Sequence, residues 1–277
     1  MAPNISFSSL ALALLLLVAS PHASGQEVKF SYNGSTGPDK WGRLCQAYNA
    51  CGLGKIQSPI NIKKDAVEEG KIYDPLNRDY KSGNATLVNR HFGVAVRFDS
   101  ECGGMTIGGK RYTLKQFHWH TPSEHLIEGE RYDAELHVVH MSEDKSFAVV
   151  SILFQYGGPD PFISKLRRGL EMLAKEKCGE KEEAQIALGN LSNKLLKKKS
   201  NKYYRYTGSL TTPPCSENVI WNVLTKVRKI SKEQVESLRA PLDEDCKRNS
   251  RPVQPLNGRK VELYSKWDCH KLKSISC

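Results

Sequence analysis

The stretch QFHWHTPSEH, residues 116–125, holds three histidines and a glutamate within ten residues. Side chains of an extended strand alternate faces, so Gln116, His118 and His120 would share one face and Phe117 and Trp119 the other. Two imidazoles roughly 7 Å apart along a strand can converge on one ion. A zinc site wants a third protein ligand, and leaves a fourth position open when the metal is catalytic.

AELHVVH, residues 134–140, offers that third ligand. Glu135, His137 and Val139 would share a face, and Leu136, Val138 and His140 the opposite one. Residues 121–133 are rich in turn formers, and a hairpin-like return would set His137 beside His118 and His120. The expected product is a three-histidine tetrahedral site with one open corner. A metal-bound imidazole donates its second ring N–H to a carboxylate, amide or carbonyl. Gln116 and Glu135, each two residues before a ligand and on its face, suit that task. His125 and His140 read as structural histidines. His118, His120 and Glu124 also satisfy the H-x-H-x3-E core of cupin barrels, but Tyr112 and Arg131 stand where that signature expects glycines.

These residues need strands to carry them. ATLVNR, GVAVRF, GMTIGGKRYTLKQFHWH, AELHVVH, FAVVSILFQY, VIWNVLTKV and KVELY are short alternating runs bounded by Gly, Pro, Asn and Asp, and read as strands. One helix is expected from Asp160-Pro161 through FISKLRRGLEMLAK, with proline in its first turn. A second starts at Ser231 in SKEQVESLRA, where Ser231 and Gln234 form a capping-box pattern. Residues 175–202 are polar and charged and read as the most flexible piece. No linker or internal repeat is apparent, so residues 26–277 read as one domain.

Residues 9–18, SLALALLLLV, are apolar but too few to cross a bilayer, and Ala23-Ser24-Gly25 offers a cleavage site before Gln26. Residues 1–25 are therefore read as a signal peptide. The implied location is the secretory route, ending outside the cell or in a lumen reached through it. Eight cysteines suit an oxidising compartment, and the absence of any C-x-x-C pair argues against thiolate zinc and thioredoxin-type chemistry. Sequons at Asn33, Asn84 and Asn190 are candidate glycosylation sites. The formal charge of +11 is concentrated in KLRRGLEMLAKEK and KLLKKKSNK. No nucleic-acid recognition motif accompanies it, so these segments read as solvated surface. No later segment is long and apolar enough to span a membrane.

A second cluster is YYRYTGSLTTPPCSENVIW, residues 203–221. Together with QFHWHTPSEH, AELHVVH, GPDKWG, QSPINI and RPVQPLNGR, it closely resembles the α-class carbonic anhydrases, particularly the secreted plant members. The motifs keep the family's order over nearly the whole chain after the leader. The resemblance implies a mainly β fold: a large, twisted, mostly antiparallel central sheet with peripheral helices and a cone-shaped cleft. It implies reversible hydration of carbon dioxide to bicarbonate and a proton by zinc-bound hydroxide. The Zn2+ ligands would be His118, His120 and His137, backed by Gln116 and Glu135. Thr211 matches the hydroxyl that aims the nucleophile, and Glu124 the carboxylate that accepts its proton. Thr212 matches a residue lining the substrate site, and Val139, Val149, Leu210 and Trp221 match its apolar wall. Tyr32 matches a tyrosine that orders cleft waters. Cys51 and Cys215 match the disulfide of secreted members; Cys45, Cys102, Cys178, Cys246, Cys269 and Cys277 receive no pairing. Sulfonamide-type inhibitors are expected ligands.

One position departs from the pattern. Fast members carry a shuttle histidine where an ungapped alignment back from Phe98 places Phe92. His91, one residue earlier, would face the other side of a strand and becomes a candidate shuttle only if a bulge re-aims it. The same resemblance implies an alternative: a dioscorin-like storage or binding protein of this fold with little or no catalytic activity. Retention of all three histidines, Gln116, Glu135 and the Glu124/Thr211 pair favours the enzyme.

Overall fold

The computed structural model describes residues 28–70, 76–176, 183–196, 200 and 202–265. The expected signal peptide, Cys178, Cys269 and Cys277 lie outside the described residues. In chain order the strands are β1 (Asn61–Ile62), β2 (Glu68–Glu69), β3 (Gly83–Asn89), β4 (Val94–Phe98), β5 (Gly104–Ile107), β6 (Lys110–His120), β7 (Leu126–Ile127), β8 (Glu130–Arg131), β9 (Ala134–Met141), β10 (Phe147–Tyr156), β11 (Ala184–Leu191), β12 (Lys202–Ser209), β13 (Glu217–Leu224), β14 (Arg228–Ile230) and β15 (Glu262–Ser265). The α-helices are short: α1 (Trp41–Leu44), α2 (Ala50–Leu53), α3 (Pro161–Ser164), α4 (Arg167–Leu173) and α5 (Lys232–Arg239).

Twelve strands form one mainly antiparallel sheet in the order β11-β3-β4-β6-β9-β10-β13-β12-β15-β2, with β14 against β10 and β5 against β6. Parallel pairing occurs at β10–β13, β10–β14 and β15–β2. A small separate sheet joins β1, β7 and β8. The central strands are covered on both faces, which explains their near-continuous apolar runs. Along β10, Ala148, Val150, Ile152 and Phe154 enter one core, while Val149 and Leu153 enter the other. The first core is closed by Ile163, Leu166, Leu170 and Leu173 around α3 and α4 and by Val235 and Leu238 of α5.

Local chemistry accounts for several boundaries. The turn between β5 and β6 is Gly108-Gly109, with φ of +53° and +79°, a left-handed pair that favours glycine in a two-residue hairpin. α5 begins with the expected reciprocal bonds between Ser231 and Gln234. Gln234 also accepts from the Asp160 amide and donates to its carbonyl, tying α5 to the cap of α3.

The structure differs from expectation in two elements. The helix expected after Asp160 is two pieces, because Lys165 and Leu166 bond back three residues rather than four. Residues 175–202 contain β11, which pairs antiparallel with β3 and breaks register at a bulge near Gly189. Only Ile186 and Leu191 of that strand are buried, so its local apolar signal is weak and pairing with β3 creates it.

Cys51 and Cys215 form a disulfide that closes a loop across 164 residues and ties α2 to the segment before β13. Cys45, Cys102 and Cys246 are free among the described residues. Asn33, Asn84 and Asn190 are exposed, and the last two are register partners across β3 and β11.

Candidate metal centre

β6 lies antiparallel to β9 with His118 opposite His137 and His120 opposite Glu135. A register shift between Leu114 and Gln116 sets up this face. Tyr112 and Leu114 enter the same core as Phe117 and Trp119, which strict alternation would forbid. The extra residue flips the parity, so the strand's early apolar residues and its later histidines are both correctly aimed. The rings of His118, His120 and His137 lie with centroids 4.5 to 5.2 Å apart. One nitrogen from each lies within 4.8 Å of the other two.

The second nitrogen of each ring is bound behind the site. His118 Nδ1 donates to Gln116 Oε1 at 2.9 Å, His120 Nδ1 to the Asn249 carbonyl at 2.7 Å, and His137 Nε2 to Glu135 Oε1 at 2.7 Å. These partners are acceptors, so they set the tautomers and leave Nε2, Nε2 and Nδ1 as lone-pair donors. His120 Nε2 is buried with no hydrogen-bond partner, the state expected of a nitrogen that awaits a cation. The donor set therefore fits zinc.

Glu135 is a crowded acceptor. Its Oε1 also accepts from His125 Nδ1 at 2.6 Å and Ser151 at 2.6 Å, and its Oε2 from the backbone amides of Glu124 and His125. Burial would raise its pKa, but His125, His137 and their hydrogen bonds hold it well below the usual carboxylate range. With its lone pairs so engaged, Glu135 serves the ring behind it rather than a second ion, although His125, Glu135 and His137 are also near one another. His125 accepts in turn from the Tyr206 hydroxyl at 2.7 Å.

Burial keeps the three rings neutral. Desolvation, then the neighbouring rings, pushes His118 well below its ordinary value. Desolvation takes His120 down to about 4 and lowers His137 as well. Neutral imidazole is the ligating form.

The site opens into a cleft. Register continues the wall from the ligands outward, because Val139 pairs with Val149, which pairs with Trp221. Leu210, Thr211 and Thr212 join it from the loop after β12. Tyr32 lines the cleft from the N-terminal segment, its buried hydroxyl without a protein partner. Glu124 is fully buried, 4.0 Å from His137 Nδ1, and accepts from the Arg251 amide at 2.9 Å. The Thr211 hydroxyl stabilises its carboxylate, although Oε2 lacks a hydrogen bond of full geometry. Burial pushes the Glu124 carboxyl up to about 7.

His91 and Phe92 occupy a bend between β3 and β4 rather than a strand. His91 takes a left-handed φ of +64°, and its Nδ1 lies 3.3 Å from Asp243. Phe92 lines the cleft. Turn geometry, not strand alternation, separates the two.

Two positioning residues escaped sequence reasoning. Asn249 supplies the carbonyl behind His120, while its side chain bonds Phe92, Trp119 and Thr121. Arg251, 1% exposed, bonds Gln57, Ser58 and Cys51. The motif RPVQPLNGR marks Arg251, but nothing local marks a backbone carbonyl as a partner for a ring 129 residues away.

Comparison with known proteins agrees with this geometry. Residues 36–265 match the family model described as eukaryotic-type carbonic anhydrase. Alpha carbonic anhydrase 7 of Arabidopsis thaliana is 42% identical over 261 residues, covering 93% of each chain. A dioscorin solved in complex with ascorbate superposes with a TM-score of 0.82 at 38% identity, covering 87% of this chain and 99% of that one. The α-carbonic anhydrase of Thermovibrio ammonificans, solved with the inhibitor sulfanilamide, gives a TM-score of 0.76 at 35% identity, covering 86% and 100%. The family-wide match, the shared fold and a three-histidine cluster at the head of a cleft lead to one conclusion: this chain belongs to the α-class carbonic anhydrase family.

Proposed function

We propose that the chain catalyses the reversible hydration of carbon dioxide to bicarbonate, with zinc held by His118, His120 and His137. The observation that carries this reading is the convergence of three neutral ring nitrogens, each pinned from behind by an acceptor. Bound zinc would supply a water acidified to about pKa 7, as is established for carbonic anhydrases, and hence a nucleophile at neutral pH.

The remaining tasks fall to this chain's own residues. The Thr211 hydroxyl donates a hydrogen bond to Glu124, so its oxygen lone pairs are free to accept from the attacking group and aim it at carbon. Glu124 must be ionised for this; a nearby divalent cation would oppose the upward shift that burial imposes. Carbon dioxide is apolar and linear, and Val139, Val149, Leu210 and Trp221 can hold it without competing for hydrogen bonds. Thr212 borders the same space, and Tyr32 orders water on the facing wall. The released proton must then reach solvent. Beside the ligands, no histidine lines the described cleft, so we assign that transfer to solvent buffer.

Sulfonamides should compete at the metal; the Thermovibrio ammonificans enzyme was solved with the inhibitor sulfanilamide. The disulfide fits an oxidising compartment, in line with the secretory route and its glycosylation at Asn33, Asn84 or Asn190. Likeness to the ascorbate-bound dioscorin favours a second reading, a storage or binding role with little catalysis. Zinc content and stopped-flow hydration of carbon dioxide, with and without sulfanilamide, separate the two. One zinc per chain and sulfanilamide-sensitive hydration are expected; a metal-free chain that stays inert after zinc addition sinks the enzyme reading.

A further inference from the structure

α4 packs on the sheet face opposite the cleft, and its charges run against its own dipole. Leu166, Leu170 and Leu173 bury one side of the segment in the first core. Gly169 lets the helix lie close to β11 and β3, since a Cβ there would come within 2.7 Å of Leu188 and 3.3 Å of Leu87. Lys165, Arg167 and Arg168 crowd the start of α4, whose first turn holds no acidic residue. The positive end of a helix dipole disfavours cations. The dipole accounts for Lys175 at the far end but not for the other three.

Arg167 pairs with Glu171 at 2.9 Å. Lys165, Arg168 and Lys175 are exposed, and among the described residues they form no ion pair and no side-chain hydrogen bond. The other carboxylate of this segment, Glu176, is exposed and likewise forms no ion pair among the described residues. Arg168, Met172 and Lys175 stand at i, i+4 and i+7 and so share one side of the helix, with Lys165 one turn earlier. Arg168 and Lys175 are about two turns, or about 10 Å, apart along the axis. A packed helix therefore holds a row of cations at fixed spacing, the arrangement that meets the repeating charges of a polyanion. Met172, 44% exposed, is the single large exposed hydrophobic in the row, too little apolar surface to sink into a bilayer. The row offers no aromatic ring on which a nucleic-acid base could stack. The planar fork of Arg168 matches a carboxylate through paired N–H groups.

We propose that this helix face docks linear polyuronates, polysaccharides with a carboxylate on each sugar, with Arg168 and Lys175 as the central contacts and Lys165 extending the row. The surface lies across the sheet from the cleft, so docking is independent of carbon dioxide hydration and does not require the metal.

The test titrates the purified full-length chain with polygalacturonate and with its methyl ester, the uncharged counterpart. At low salt, wild type should bind the acid form at least about tenfold more tightly than the ester, and the preference should shrink as ionic strength rises. R168Q/K175Q should weaken binding to the acid form about tenfold. R168K/K175R should keep most of it, which separates loss of charge from loss of fold. K63Q/K64Q removes the same charge from exposed lysines elsewhere and should change binding less than about twofold. Equal losses in R168Q/K175Q and K63Q/K64Q would mean that net charge alone draws the polymer, and would overturn the proposal. So would equal binding of acid and ester, or no binding by wild type. Vesicles containing phosphatidylserine test the rival occupant. Tighter capture by the vesicles than by polygalacturonate, abolished in R168Q/K175Q, would overturn the polyuronate assignment.

Discussion

His118 and His137 face each other directly across β6 and β9, with ring centroids 5.2 Å apart. Facing positions on adjacent antiparallel strands are held by the ladder itself, so two of the proposed ligands are positioned by backbone hydrogen bonds rather than by flexible loops. His120 completes the set from the same face of β6. His137→Asn should therefore cost most of the zinc affinity while leaving the sheet folded. Equilibrium dialysis against zinc and far-UV circular dichroism check the two halves of that expectation.

The acceptors behind the rings should matter less than the ligands but measurably. Gln116→Ala and Glu135→Ala each remove a partner that fixes a tautomer. Zinc affinity should fall about 10- to 100-fold in each. Glu135→Ala should be the worse, since it also strands His125, Ser151 and two backbone amides. Competition with a chelator of known affinity gives the ranking; equal zinc affinity in wild type and Glu135→Ala would contradict it.

Thr211→Val should leave zinc content unchanged and lower kcat/KM for hydration by about 100-fold, because orientation of the nucleophile is lost while the metal stays. Metal analysis alongside stopped-flow kinetics distinguishes this from a folding defect.

With Phe92 in the cleft and His91 turned toward Asp243, turnover should rise with buffer concentration. Phe92→His should raise the low-buffer rate by about tenfold and weaken the buffer dependence. A rate already independent of buffer in wild type would mean that another group carries the proton.

His140 supplies a pH prediction away from the cleft. It accepts from Tyr80 at 2.8 Å and donates to the Ala148 carbonyl, and burial pushes its pKa down to about 3. The unfolded value is about 6.5, so between those limits the unfolded chain binds a proton that the folded chain refuses. This contribution is complete above about pH 6.5 and is lost as pH falls toward 3. Urea unfolding of wild type and His140→Gln across that range should show a shallower loss in the variant, the difference being on the order of a few kcal/mol.

Much was legible locally, because it depends on neighbours in the chain. Alternation marked β9 and β10, the two-residue spacing put His118 and His120 on one face, and Ser231 with Gln234 announced α5. The disulfide and the division of labour at the site came from motif resemblance, and Cys51 does meet Cys215. Tertiary structure decided what no short window contains. The shift between Leu114 and Gln116 reverses the face of β6, the β6–β9 register sets His137 opposite His118, and Asn249 brings a carbonyl to His120. β11, with two buried residues, exists as a strand through its pairing with β3. Alternation and caps are properties of consecutive residues, whereas register, bulges and backbone acceptors are chosen by the energy of contacts between distant segments, to which the local pattern is blind.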